Sequence, residues 1–104
     1  MSTIVIHAKV ETTPGAIDAM RTAIATMERA SRAEPGCIEY EFTSSLESPT
    51  TIRIFERWQS MEALQSHFAT PHMRAFNAAM RSNPPKSVEA KLFEVARELP
   101  FPTS

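Results

Sequence analysis

Apolar and polar residues alternate over residues 3–11, a pattern typical of a β-strand with one drier face. The segment is also rich in β-branched residues, which strands favour. The drier face carries Ile4, Ile6, Ala8 and Val10, and the opposite face carries Val5, His7, Lys9 and Glu11. The chain is therefore predicted to begin with a strand that buries one of its two faces.

The spacing of apolar residues then changes from two to three or four. Ile17, Met20, Ile24 and Met27 recur at this spacing through an alanine-rich stretch, which predicts an amphipathic helix of about five turns. Thr13 is the expected N-cap, and Pro14 is the expected first helical residue. The helix should end before Pro35-Gly36, because proline blocks continuation and glycine tolerates the left-handed turn.

Two further alternating segments, residues 37–45 and 51–59, lie close together in the sequence and predict an antiparallel hairpin. In the first, Ile38, Tyr40 and Phe42 are expected on one face; in the second, Ile52, Ile54, Glu56 and Trp58 share a face. Met61, Leu64 and Phe68 mark a second helix, which Thr70-Pro71 interrupts before Met73, Phe76 and Met80 continue the pattern. Residues 86–97 alternate weakly as a last strand.

The predicted order is β-α-β-β-α-β, the α+β ferredoxin-like (split βαβ) arrangement, in one domain over residues 1–104. Its sheet would carry helices on one face only. Apolar side chains nevertheless occur on both faces of the strands, as Val5 and Phe55 against Ile6 and Ile54 illustrate. A second subunit is the simplest cover, so we expect a homodimer, a dimeric α+β barrel with its sheets packed face to face.

Composition and charge limit the classes of partner that this chain can be expected to bind. Eleven basic and twelve acidic residues leave a net charge of −1, and no cluster of Lys or Arg indicates binding to nucleic acid or to an anionic membrane. No apolar stretch approaches the ~20 residues that span a bilayer, and no secretory signal is visible at the N-terminus. The only cysteine, Cys37, excludes an intrachain disulfide. We therefore expect a cytoplasmic protein.

Two blocks of the sequence match the motifs of a known family. One is Glu-Pro-Gly-Cys-Ile-Glu-Tyr at residues 34–40; the other combines Glu56-x-Trp58 and Ser60 with His67-x-x-Thr70-Pro71-His72-Met73. On these motifs the chain resembles the antibiotic-biosynthesis-monooxygenase family, and within it the small bacterial quinol monooxygenases. The resemblance covers nearly the whole chain.

This resemblance implies a dimer of ferredoxin-like subunits, each with a pocket between its sheet and its helices. It also implies an oxygenase that uses no metal, flavin or haem. Such chemistry is reasonable, because an electron-rich hydroquinone or anthrone can itself reduce dioxygen once a proton is removed. The expected function is therefore a cofactor-free monooxygenase that oxidises a small quinol-like or phenolic aromatic to a quinone with dioxygen.

His67 and Trp58 are the expected catalytic residues. A histidine suits proton removal at neutral pH, and the helical spacing places His67 at the edge of the buried stripe. The indole N–H of Trp58 could donate to an oxygen of a bound ring. The same side chain could be an ordinary core anchor, and a pocket wall is favoured over a direct catalytic role. The side chains expected to contact the substrate are Glu56, Ile54, Tyr40, Phe42, Leu64, Phe68, His72 and Phe76.

Two of these residues have competing interpretations. His72 follows Pro71 at a helix start, where it is expected to cap the helix. Glu56 lies on a half-buried face that Arg53 does not share, so its partner is expected from a helix or from the other subunit. His67 and His72 are five residues apart and no carboxylate stands at a recognisable position, so no metal site is expected.

Two other functions remain open on the sequence. One is an isomerase, or other enolising enzyme, acting on a small phosphorylated carbonyl compound, for which Arg53, Arg57, Arg74 or Arg81 could hold the phosphate. The other is a non-catalytic protein that sequesters a hydrophobic ligand. Haem degradation is not expected. The family's haem-degrading members need an asparagine on the first strand, and residues 3–11 of this chain contain none. Some polyketide-oxidising members place an asparagine four residues before the tryptophan, where this chain has Ile54.

Overall fold

The computed structural model describes residues 2–103, which form a four-stranded sheet and three helices. In chain order the elements are β1 (Thr3–Glu11), α1 (Ala16–Arg32), β2 (Cys37–Ser44), β3 (Thr51–Trp58), α2 (Met61–Phe68), α3 (Pro71–Ser82) and β4 (Ser87–Val95). Within the described residues, none of the helices has both the length and the apolar character needed to cross a membrane.

The strands are antiparallel in the order β2-β3-β1-β4, the ferredoxin-like topology that the sequence predicts. Residues with even numbers in β1 are buried against the helices, and those with odd numbers are only partly buried. The sheet of one chain is open, with β2 and β4 as its edges. The ferredoxin-like fold is thus confirmed, whereas the barrel made by two subunits stays a prediction.

The core lies between this sheet and the helices. Its fully buried side chains include Trp58 on β3, Leu64 on α2 and Met27 on α1. The other members of the cluster are Ile4, Ile6, Met20, Tyr40 and Phe76. Each lies at a position where the period-2 or period-3.6 pattern of the sequence predicts burial.

The start of α1 differs from the prediction. The helix begins at Ala16, and its N-cap is Gly15, which adopts a left-handed conformation with φ of 83°. Thr13 accepts the backbone N–H of Ala16 with its carbonyl oxygen at 3.1 Å, which closes a turn before the helix. The prediction of Thr13 as N-cap and Pro14 as first helical residue was therefore wrong, because this tight turn takes up both residues.

The start of β2 also differs. A bulge breaks the register between Cys37, which pairs with Trp58, and Glu39, which pairs with Arg57. Ile38 is the extra residue of the bulge and is 45% exposed, so it does not share the buried face of Tyr40 as predicted. The bulge instead turns Cys37 toward the core cluster.

The face of the sheet opposite the helices carries exposed apolar side chains. Phe55 and Phe93 are exposed there, and β4 is exposed on its other face too, at Val88 and Leu92. The register places Phe93 beside Val5 and Phe55 beside His7, on neighbouring strands. The apolar residues predicted on both faces are thus present on the folded sheet.

Thr70 joins α2 to α3. Its hydroxyl accepts the backbone N–H of Met73 at 3.3 Å and donates to the carbonyl oxygen of His67 at 2.7 Å. Thr70→Ala is expected to lower the free energy of unfolding by about 1 kcal/mol, the usual effect of removing an N-cap side chain. Urea unfolding measures the loss. Thr70→Ser should retain most of the stability, and an equal loss in both variants would assign the effect to the methyl group instead.

Candidate active site

Three acid–base side chains from three separate segments of the chain meet in the fold. Glu34 lies in the turn after α1, His67 on the last turn of α2, and His72 on the first turn of α3. One carboxylate oxygen of Glu34, Oε2, lies 2.7 Å from Nδ1 of His67 and 2.7 Å from Nε2 of His72. A single carboxylate therefore holds two imidazole rings.

Local structure explains why these residues meet. Pro71 occupies the first position of α3 and Thr70 caps it, so the chain changes direction between the two histidines. The turn that carries Glu34 is held against the end of β3, because the carbonyl oxygen of Gly36 accepts the backbone N–H of Gln59 at 2.8 Å. His72 does not cap α3 as expected, since the Thr70 side chain fulfils that role.

His67 is completely buried, not at the edge of the buried stripe as the helical pattern suggested. Its Nδ1 is bound to Glu34, and its Nε2 is buried with no hydrogen-bond partner among the described residues. A carboxylate can only accept, so the network assigns the proton to Nδ1 and leaves a lone pair on Nε2. The nitrogen that keeps its lone pair is thus a buried one.

Aromatic rings surround this imidazole. The ring centroid of Trp58 lies 4.7 Å from that of His67, that of Tyr40 at 5.3 Å, and that of Phe68 at 5.6 Å. Burial raises the pKa of the Tyr40 phenol well above its usual range, so that this residue stays protonated at neutral pH. The imidazole of His67 therefore packs among aromatic side chains.

Trp58 and Glu56 are partners. The indole N–H of Trp58 donates to Oε1 of Glu56 at 3.0 Å, and both side chains are buried. The partner of Glu56 thus comes from its own strand, two residues away, and not from a helix or another subunit as expected. Burial raises the pKa of the Glu56 carboxyl, while the indole bond and the nearby His67 act in the opposite direction.

An apolar cavity lies between the sheet and helices α1 and α3, and its lining includes neither His67 nor the side chains around it. Ile54, Phe42 and Phe76, all predicted to contact substrate, line it together with Ile24, Ile52 and Met80. Tyr40, Glu56 and His72 surround His67 instead, Leu64 belongs to the core, and Phe68 is exposed. The cavity volume is about 20 Å³, whereas a groove of about 290 Å³ between α1 and β2 shares its walls Ile24, Phe42 and Ile52.

Comparison with known proteins shows to which family this chain belongs. The sequence model of the antibiotic biosynthesis monooxygenase family matches residues 3–79, most of the chain. This chain belongs to that family. Rv0793 of Mycobacterium tuberculosis, named a candidate monooxygenase, is 31% identical over 77 residues, which cover 74% of this chain and 75% of that protein.

Solved structures agree with the assignment. The structure of Rv0793 superposes with a TM-score of 0.83 at 27% identity and covers 93% of this chain and 98% of that one. A structure from Deinococcus radiodurans, of a candidate member of the same family, superposes with a TM-score of 0.86 at 19% identity. It covers 96% of this chain and 99% of that one, and this likeness concerns the fold alone. The uncharacterized protein sll1783 of Synechocystis is 29% identical over 93 residues, and this chain spans 63% of its length.

In this member of the antibiotic biosynthesis monooxygenase family, Glu34 is the site residue that sequence reasoning missed. It stands 33 residues from His67 along the chain. The available signal was its place in the matching block at residues 34–40, since the fold must bring that turn next to the start of α2. The sequence argument that no carboxylate accompanies the two histidines was therefore wrong.

Glu34, His67 and His72 could together offer ligands to a metal ion, because their donor atoms lie within 4.8 Å of one another. The separations from Oε2 to the two nitrogens are nevertheless hydrogen-bond lengths. Ligand atoms around a tetrahedral zinc ion, about 2.0–2.1 Å from the metal, lie about 3.3 Å apart. The observed distances fit hydrogen bonds better than shared coordination of an ion. To bind an ion, the two ring nitrogens would have to move away from Oε2 of Glu34.

Proposed function

We propose that this protein is a cofactor-independent monooxygenase that oxidises a small quinol-like or phenolic aromatic to a quinone with dioxygen. The observation that carries the proposal is the buried, unpartnered Nε2 of His67, whose Nδ1 is held by the Glu34 carboxylate at 2.7 Å. This is the arrangement of a general base: the carboxylate fixes the tautomer and stabilises the imidazolium formed when Nε2 takes a proton. Membership of a monooxygenase family supports the same chemistry.

The proposed reaction starts with transfer of the phenolic proton to Nε2 of His67. In an anthrone-like substrate, the anion gives electrons to dioxygen and a bond forms between ring carbon and oxygen. The O–O bond then breaks, one oxygen stays as the new carbonyl, and the other leaves as water. That water carries away the proton held on Nε2 of His67 and the remaining hydrogen of the carbon, so the base is restored. The CH₂ carbon supplies all four electrons, so no external reductant is needed. A plain hydroquinone would instead lose two electrons and two protons and yield hydrogen peroxide.

Pocket geometry suggests how an aromatic ring would bind. Ile54, Phe42 and Phe76 provide an apolar cavity, and Glu56 follows two residues after Ile54 on the same face of β3. The cavity volume of about 20 Å³ is far below the several hundred Å³ of typical ligand sites. Binding must therefore separate Phe42 from Phe76, whose ring centroids lie 5.4 Å apart. The connected groove beside Ile24 is the proposed entrance.

The positions of the arginines disfavour the alternative of a phosphorylated substrate. Arg53 and Arg57 lie on the face of the sheet opposite His67, as their register with Lys9 and Val5 requires. Arg74 is exposed and donates to the carbonyl oxygen of Ala69, and Arg81 is exposed on α3. These four residues, which the sequence suggested for a phosphate, therefore do not converge on the site.

Oxygen uptake by metal-stripped protein with a panel of hydroquinones and anthrones tests the proposal. Uptake should exceed the autoxidation rate, and His67→Gln should lower kcat about 100-fold or more, because positioned general bases contribute about 10²–10⁴-fold. Glu62→Gln, on the exposed face of the same helix, is the matched control. Wild-type uptake no faster than autoxidation, or full activity in the His67 variant, would reject the proposal. Assaying hydrogen peroxide separates the two reaction types.

We also propose that the protein is a homodimer that covers the open sheet face around Phe55 and Phe93, two exposed aromatic side chains. Sedimentation should give twice the 11.6 kDa mass of the chain. Phe55→Glu should shift the molecule toward the monomer, because it would place a charge in the apolar interface. A monomeric wild type at micromolar concentration would contradict this arrangement.

A further inference from the structure

The groove between α1 and β2 adjoins the small apolar cavity that Phe76 lines. Ile24, Phe42 and Ile52 line both spaces, so the same side chains separate them. The cavity volume is only about 20 Å³. The groove volume of about 290 Å³ is close to the lower limit, about 300 Å³, of typical ligand sites. Most of a bound ligand would therefore lie in the groove.

The groove offers a ligand apolar contacts rather than free charges. Ala25 and four larger apolar side chains contribute to its walls, and its charged side chains already have partners. Arg21 donates to Oδ1 of Asp18 at 2.7 Å, and Oε2 of Glu28 accepts the backbone N–H of Phe42 at 2.8 Å. A charged substituent would have to displace one of these partners, whereas an alkyl chain would leave both in place.

We propose that this groove is a distal subsite that binds an alkyl substituent of the substrate, while the oxidised ring lies between Phe42 and Phe76. This inference rests on the proposed function, because it names the substrate class of that reaction as a quinol or phenol with an uncharged apolar chain. Each CH₂ group that the chain buries raises affinity about fourfold. The proposed entrance is thus also a binding surface, which supplies affinity that the small cavity alone does not provide.

Helix α1 fixes the backbone that leads into Phe42. Nε of Arg32 donates to the carbonyl oxygen of Tyr40 at 2.9 Å, and Glu28 holds the N–H of Phe42. Glu28 and Arg32 are one helical turn apart, and Oε2 of the first accepts from the guanidinium of the second at 3.5 Å. Strand β2 therefore stays in place when a ligand enters, and the opening comes from rotation of the Phe42 side chain. That rotation would join the cavity to the groove.

The test compares three probes by isothermal titration calorimetry in the absence of oxygen, so that no turnover occurs. They are methylhydroquinone, hexylhydroquinone and 6-(2,5-dihydroxyphenyl)hexanoate, whose chain ends in a carboxylate. The protein should bind hexylhydroquinone at least about tenfold more tightly than methylhydroquinone, because the longer chain buries additional CH₂ groups. The hexanoate should bind more weakly than the hexyl probe. Equal affinity for the hexyl and methyl probes, or tightest binding of the hexanoate, would overturn the apolar subsite.

A variant that fills the groove locates the site of binding. Ala25→Phe should abolish the preference for hexylhydroquinone over methylhydroquinone, because the added ring would occupy the space that the chain needs. Thr26→Phe, which adds the same ring at an exposed position of the same helix, is the matched control and should keep the wild-type preference. Ala25→Leu repeats the measurement if the phenylalanine variant folds poorly. An undiminished preference in both Ala25 variants would place the chain elsewhere and overturn the subsite.

Oxygen uptake by the same protein separates this inference from the proposed function. Preferential binding of hexylhydroquinone that Ala25→Phe abolishes, without enzyme-dependent oxygen uptake, would support the subsite and reject only the reaction. Oxidation of both hydroquinones with the same KM would support the reaction and overturn the subsite. Failure of all three probes to bind would overturn the subsite as well.

Discussion

Gly36→Ala is expected to lower the free energy of unfolding by about 3 kcal/mol, through two effects. Gly36 has φ of 85°, a left-handed conformation that costs other residues about 1–2 kcal/mol. A Cβ atom at this position would also lie 2.7 Å from the Cβ of Ala63, and overpacking of this kind costs about 1–3 kcal/mol. Chemical denaturation measures the change. Because Glu34 stands two residues earlier, the variant should also disturb its bond to His67.

A matched pair of variants separates the two effects. Gly15 has nearly the same φ, 83°, but a Cβ there would meet no atom within 4 Å, so Gly15→Ala reports the conformational cost alone. Ala63→Gly in the Gly36→Ala background removes the clash, although glycine in a helix costs about 1 kcal/mol. A double-mutant cycle should therefore give a favourable coupling of about 1–3 kcal/mol. Equal losses at Gly15 and Gly36 would show that the close approach to Ala63 is unimportant.

Periodicity predicted most of the fold because burial here follows the two simple periods closely. In β1, every even-numbered residue from Ile4 to Val10 is buried, as alternation requires. The predictions for the start of α1 and for Ile38 were wrong where the backbone leaves regular geometry. A left-handed Gly15 precedes α1, and a bulge exposes Ile38. Both depend on how the chain crosses between layers, which local propensity does not encode.

The site was predictable only in part. The resemblance drew attention to His67 and Trp58, but its pattern does not say which group each ring contacts. The bond from Trp58 to Glu56 follows from residues two apart sharing a strand face, and strand periodicity could have suggested it. Glu34 reaches His67 from 33 residues away, through the packing of a turn onto a helix. Contacts of that kind arise from tertiary structure, so the carboxylate became visible only in the folded chain.

The buried carboxyl of Glu56 should make stability depend on pH. Burial is the main cause that raises its pKa, so the folded protein holds this proton more tightly than the unfolded chain does. The stability that the protonated carboxyl contributes is fully present below its pKa in the unfolded chain. It is lost as pH rises through its pKa in the folded protein. Each unit of pKa difference corresponds to about 1.4 kcal/mol. We therefore expect Glu56→Gln, which cannot ionise, to gain stability relative to the wild type as pH increases from 4 to 8.

Urea unfolding of both proteins across this range measures the effect as a difference, in which the titration of all other groups largely cancels. The difference should increase with pH and then become constant once the wild-type carboxyl is ionised in both states. Glu47→Gln, in the exposed turn between β2 and β3, is the control for loss of one negative charge. A difference that decreases with pH would mean that His67 and the Trp58 indole outweigh burial and favour the carboxylate. Glu56 would then be a fixed negative charge beside the base, able to stabilise the imidazolium formed when His67 takes its proton.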